Sequence, residues 1–326
     1  MGALGRRVGT FSRSARFRSA QRCPDSAGRA WAGLACGAVV ALLACTPDLG
    51  TPASLVTSER LLAVRAEPPE VAPGESVALT SLVASPDGTV ANASIAWAMC
   101  AAPKPLAEND VVSTACVGDA VRPVADGASS ASATIPTDAC ALFGPETPPG
   151  DYRPRSPDVT GGYYQPVRAT LADVPSFALE RIACHLTEAS ADVAADYAKR
   201  YPRNKNPQLA PLVARMNGAP VPLDQVPAGA RVTFTAAWGP SDAETYVVFD
   251  TASQSLVTKR EAMRVSWYAS GGRFDTDVTG RTEDDPATTS DVGWTAPGAA
   301  GAVHVWLVLR DSRGGLDFAA QDIIVR

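Results

Sequence analysis

Val71-Ala-Pro-Gly74-Glu-Ser-Val77-Ala-Leu79-Thr80 joins a Pro/Gly turn to a strand whose apolar side chains fall on every second residue. The same layout returns at Val226-Pro-Ala-Gly229-Ala-Arg-Val232-Thr-Phe234-Thr235. Period-two alternation turns one face of each strand toward a core, and the turn sets where the strand begins. Three further landmarks recur in the same order. A short strand carries a tryptophan in Ser94-Ile-Ala-Trp97 and again in Val265-Ser-Trp267-Tyr268. Ala133-Thr-Ile-Pro136 is matched by Trp294-Thr-Ala-Pro297. Last comes a hairpin, Val167 to Leu171, a turn over 173–176 and Phe177 to Leu186, echoed by Val303 to Leu309, a turn through Asp311–Gly315 and Phe318 to Val325. Four landmarks in one order describe two copies of one unit.

Short strands, Pro/Gly punctuation and a tryptophan on a middle strand predict an all-β fold, with two Ig-like antiparallel β-sandwiches in tandem. The order of landmarks resembles bacterial Ig-like and PKD-like domains of cell-surface proteins, and Val308-Leu-Arg-Asp-Ser-Arg-Gly-Gly-Leu-Asp317 is similar to the hairpin that closes them. The resemblance spans 59–186 and 219–326, and it speaks to fold far more than to activity. Trp97 and Trp267 are expected in the two cores, the alternative being exposed sugar platforms. Between the sandwiches, residues 187–218 read as a linker. Glu188–Arg200 is alanine-rich, acidic at its start and basic at its end, which suits a short helix, and Tyr201-Pro-Arg-Asn-Lys-Asn-Pro207 stops it.

Ahead of the sandwiches, residues 1–44 carry seven arginines against one acid, Asp25. An apolar Ala/Gly-rich run, Trp31 to Cys45, follows them. A basic start and a short apolar run read as a secretory signal, too short to span a bilayer. Leu42-Leu43-Ala44-Cys45 resembles the lipobox of bacterial lipoproteins. The resemblance implies a signal peptide over 1–44, cleavage before Cys45, and acyl chains on the Cys45 sulfur and new amino group. Residues 45–58 would then be a lipidated N-terminus and tether. Two or three acyl chains, at about 0.8 kcal/mol per buried methylene, hold a protein to a membrane where one does not. Thr46 stands where aspartate would signal inner-membrane retention, so the resemblance implies an outer-membrane anchor facing the periplasm or the cell surface.

Beyond residue 44 the chain carries 22 basic and 33 acidic side chains, a balance that repels nucleic acid. Cys100, Cys116, Cys140 and Cys184 remain after the signal, an even set that suggests two disulfides with three possible pairings. Cys100–Cys116 with Cys140–Cys184 is preferred because the first closes a short local loop. Zinc is disfavoured: there is no CxxC pair, and in a strand His185 faces away from Cys184. No cofactor is implied.

The longest irregular stretch, 141–162, replaces a connection of about four residues in the second copy. Tyr152, Arg153, Arg155, Tyr163 and Tyr164 gather there, residue types that dominate binding hot spots. They are the candidate partner-binding residues, with Tyr163 or Tyr164 packing inward as the bland alternative. Asp275, Asp277, Gly280, Glu283, Asp284 and Asp285 begin like a calcium loop, but Pro286 occupies the position of the bidentate glutamate. No GxSxG, HExxH, P-loop or Rossmann pattern occurs, and His185 and His304 sit in expected strands. The chain therefore reads as a non-catalytic binding, adhesion or assembly module of the cell envelope with a protein or glycan partner. The alternatives are a structural spacer or accessory lipoprotein of a secretion or polysaccharide-export system, and, further off, a hydrolase.

Overall fold

The computed structural model describes residues 51–146, 150–153 and 156–326, so the signal region, Cys45 and Arg155 lie outside it. In the first sandwich one sheet sets Ser76–Ser85 between Arg60–Glu67 and Ser130–Thr134. The chain then changes sheet. Glu70–Val71 pairs in parallel with Val174–Ile182, and that strand continues antiparallel through Tyr163–Leu171 and Ile95–Cys100 to Val121–Ala125. Val77, Leu79, Ile95, Val167 and Ile182 fill the space between the sheets around Trp97. The Trp97 indole N–H is satisfied by the Ala128 carbonyl at 2.8 Å, as a buried indole requires.

The second sandwich repeats the plan. Val213–Met216, Arg231–Ala237 and Thr289–Thr295 form the middle of one sheet; Val278–Arg281, Met263–Ala269, Gly301–Asp311 and Leu316–Val325 form the other. Even the parallel crossover recurs, because Val226 bridges in parallel to Val325. Trp267 and Trp294 are fully buried beside Phe234, Val305 and Ile323. All-β, Ig-like architecture in two copies is thus what the chain builds. Trp97 and Trp267 are core residues, not sugar platforms.

Three local features differ from the sequence expectation. The first hairpin turns at Ala172-Asp173, both with positive φ (46° and 65°), and not over 173–176. A two-residue turn of this hand matches strand twist, and the second strand begins at Val174. Second, Thr245–Asp250 and Ser255–Arg260 form a separate hairpin inserted between two strands of the second sandwich. Third, the expected tether over 45–58 is not free along its length. Val56 donates to the Ala269 carbonyl (2.8 Å), and the Ala269 N–H donates to Ser54 (2.9 Å). This segment therefore extends the edge of the second sandwich.

Leu49–Arg326 is one compact unit. The outer face of the first sandwich, through Ala63, Leu82 and Ala84, meets Trp306, Val308 and Leu316 of the second, with Val56 between. Strand Gly301–Asp311 consequently buries both faces: Val305, Leu307 and Leu309 point into its own core, Trp306 and Val308 into the seam. A strand covered on both sides reads as a continuous apolar run, here Val305-Trp-Leu-Val-Leu309. Helix Ala191–Arg200, capped by the Ser190 hydroxyl, packs on the inserted hairpin. The stretch after it is embedded between the sandwiches, with Asn204 buried.

Candidate functional site

Arg313, 0% exposed, is the hub of the seam. Its Nε donates to Glu261 Oε1 (2.6 Å), Nη2 to Glu244 Oε2 (2.7 Å) and Nη1 to the Pro202 carbonyl (2.8 Å), and the guanidinium lies over the Tyr246 ring. Tyr201, from the linker, donates its hydroxyl to Glu70 of the first sandwich at 2.9 Å. Arg181 completes the chain of contacts through Tyr201, Thr160 and Tyr164. Two buried guanidiniums are thus neutralised by carboxylates drawn from both sandwiches, which is the condition for burying charge at all. Burial pushes the Glu261 carboxyl above its ordinary range, and the Asp311 charge adds to that push while Arg313 opposes it.

A different environment surrounds Glu180. It is buried without a basic partner, opposite Gln165 in the strand pair, and burial with the nearby Glu70 charge pushes its pKa up to about 9. Its folded value exceeds the ordinary one, so the folded chain keeps a proton that the unfolded chain loses, and stability falls as pH rises between those values. Glu180→Gln should therefore match the wild type near pH 4 and be more stable by about 1–3 kcal/mol at pH 7.5. Urea unfolding across that range checks it; equal pH slopes in the two proteins would contradict it.

Cys100 is joined to Cys116 and Cys140 to Cys184, the pairing expected from loop length. Such bonds mark a chain that folds outside a reducing cytoplasm. Their placement is informative. The first ties down the loop 101–115 and the second ties down helix Ala139–Phe143, and Val112 of the loop and Phe143 of the helix meet Pro166 and Leu179 of the sheet around one groove. Lys104–Pro105 pairs with Tyr152–Arg153, joining the two loops. Within loop 101–115, the Glu108 carboxylate accepts from the Thr114 amide and hydroxyl, both at 2.8 Å.

Between these loops and the sheet lies a groove of about 230 Å³ with walls of Val111, Val112, Phe143, Pro166 and Leu179. Lys104 and Tyr164 stand at its polar edge. Val111 is 75% exposed and Leu179 39%. Apolar side chains left in water at the mouth of a groove mark an interaction surface more often than lone exposed ones do.

Of the five candidate partner-binding residues, Arg155 lies outside the described residues, and Tyr163 and Tyr164 point to opposite faces of their strand. Tyr163 is 4% exposed and belongs to the first core, so it is not presented to a partner. Alternation sends Tyr164 to the opposite face, where its hydroxyl meets Asp158 at 2.8 Å and Arg181 at 3.0 Å. Tyr152 is half-buried on the loop strand that Arg153 shares. Sequence reasoning missed Val111 and Leu179, whose signal was only an apolar residue in a polar loop and one on a strand's outer face.

Two acids of the stretch after Phe274 are paired with arginines. Asp275 pairs with Arg231, and Asp285 with Arg281 at 3.1 Å. No group of three or more potential ligands among the described residues is arranged around a metal position. Nor does a serine triad form at His304. Its Nδ1 lies 2.7 Å from Asp322 Oδ1, and Ser270 Oγ accepts from the His304 backbone N–H. His185 and Glu146 form an exposed pair.

No family model matches the chain, and no curated protein matches it. Solved structures similar to it include the D00-D0 domain of intimin, at 10% identity, covering 81% of this chain and 100% of that one with a TM-score of 0.24. Another is the Yersinia pseudotuberculosis adhesin InvE, at 10% identity, 85% and 62% coverage and a TM-score of 0.23. Domains 4 and 5 of the S-layer protein SbsC follow at 8% identity, 82% and 98% coverage and a TM-score of 0.19. At TM-scores this low, the fold and the site rest on the chain's own geometry.

Proposed function

We propose that this chain is an exported, lipid-anchored and non-catalytic binding module of the bacterial envelope, whose partner docks on the groove between the disulfide-tied loops. The observation that carries the reading is that groove: apolar walls, two covalently fastened loops and exposed Val111 and Leu179 at its mouth. Fastening loops before binding removes ordering cost from association. The Cys45 anchor is supported by the lipobox resemblance alone. With Ser54 docked on the second sandwich, the eight residues 46–53 would span no more than about 27 Å even when fully extended. The body would therefore sit close to its membrane.

The buried seam favours a second reading, the structural spacer or accessory lipoprotein of an export system, since a rigid two-sandwich body holds distance well. Both readings make Cys45→Ser release the protein from membranes. They part at the groove. Val111→Asp and Leu179→Arg should each reduce recovery of the envelope partner about ten-fold or more, as loss of an apolar anchor does, while Val213→Asp on the second sandwich leaves it unchanged. Equal recovery in all three variants would favour the spacer.

A further inference from the structure

The groove is one end of a longer trough. Tyr164 and Leu179 also line a second hollow of about 490 Å³ that crosses the seam. That hollow in turn shares Arg310, Asp311 and Ser312 with a third, of about 570 Å³, on the second sandwich. At this far end Arg310 and Arg264 are direct cross-strand partners. Side chains so placed have Cβ atoms about 4.5–5.5 Å apart, and like charges there repel. Gly280 is the residue paired with Arg264 on its other side, so no side chain stands over that position.

Neither arginine has a carboxylate partner among the described residues. Arg310 reaches only Ser266 Oγ at 3.4 Å and the Leu62 carbonyl at 3.5 Å, both at the outer limit of a hydrogen bond. Arg264 is exposed. Burial lowers the Arg310 pKa, and the Arg264 charge lowers it further. The acids that also line the trough are occupied. Asp311 accepts from the Arg313 and Gly315 backbone amides, and Asp158 from Gly162 and Tyr164. In a body with 33 acids against 22 bases, two adjacent guanidiniums left without a counter-charge are a local inversion. Screening over about 8 Å lets that local charge prevail over the distant acids.

We infer that the trough takes an extended acidic peptide segment, with a carboxylate held between Arg264 and Arg310 and an apolar side chain in the loop groove. The inference rests on the reading of the chain as a binding module with that groove, and adds the arginine pair to it. A guanidinium fork matches a carboxylate in shape as well as charge. A peptide is favoured over a glycan because every tryptophan among the described residues is buried, leaving none as a sugar-stacking platform.

The test uses the full chain in detergent and two fluorescent hexapeptides, one alternating leucine and glutamate, the other leucine and glutamine. The wild type should bind the glutamate peptide about ten-fold or more tightly than its neutral counterpart. Arg264→Gln and Arg310→Gln should each bring the ratio close to one. Arg264→Gln should not lower the melting temperature, since it removes a like-charge contact, which keeps the result separate from misfolding. Val111→Ser, which adds no charge, should weaken both peptides and keep their ratio, so failure of the groove and failure of the arginine pair are distinguishable. The inference is overturned if neither peptide binds the wild type, if both bind equally, if the ratio survives both arginine substitutions, or if oligogalacturonate binds in place of the peptides.

Discussion

Replacing Arg313 by methionine should lower the unfolding free energy by about 3–5 kcal/mol. The guanidinium is fully buried, and its removal strands Glu261, also 0% exposed, without a counter-charge and leaves Glu244 only its contact with the exposed Lys205 at 3.5 Å. Methionine fills much of the volume, so the loss reports the uncompensated carboxylates more than a cavity. Adding Glu261→Gln to Arg313→Met should recover about 1–3 kcal/mol, because the two residues interact directly. Urea unfolding of both variants checks this. A loss below about 1 kcal/mol for the single variant would mean that water enters the seam and solvates the acids.

Trp306→Ala should cost a similar amount, about 3–5 kcal/mol, by a different route. Trp306 is 0% exposed, yet it belongs to neither sandwich core. It fills the seam against Ala63, Leu82 and Ala84 and donates its indole N–H to Thr89 Oγ1 at 2.8 Å. Both cores survive its removal. The cost should therefore appear as lost coupling: one calorimetric transition in the wild type, two in Trp306→Ala. Trp267→Ala is the control, since it empties the core of the second sandwich. A single, merely lowered transition in Trp306→Ala would place the coupling in the Arg313 network instead.

The fold was legible wherever one strand face meets a core. Val77 and Leu79, or Val232 and Phe234, announce that face by alternation, and the tryptophans follow from it. The seam was harder to read. Val305-Trp-Leu-Val-Leu309 has no parity, and its meaning, burial on both faces, emerges only once a second sandwich is laid against it. The inserted hairpin was signalled by Thr245-Tyr-Val-Val-Phe-Asp250 and Ser255-Leu-Val-Thr-Lys-Arg260, whose apolar runs are weak beside the repeated landmarks.

The candidate site was legible only in part. The long loop and the four cysteines lie beside the groove, and parity between Tyr163 and Tyr164 left open which of them faced inward. Buried arginines defeat sequence reading for a physical reason. A charged residue in a strand or turn is normally solvated, and Arg313 escapes that rule only through Glu244 and Glu261, 69 and 52 residues away. The Arg264–Arg310 pair likewise exists only through strand register.

We propose that a partner sits in the groove of the first sandwich. The most direct measurement is a photoreactive side chain placed at Val111 in the native host, irradiated in intact envelopes and compared with the same group at Val213. The account predicts one discrete adduct at Val111, absent at Val213 and suppressed by Leu179→Arg. Equal labelling at the two positions, or an adduct indifferent to Leu179→Arg, would contradict it.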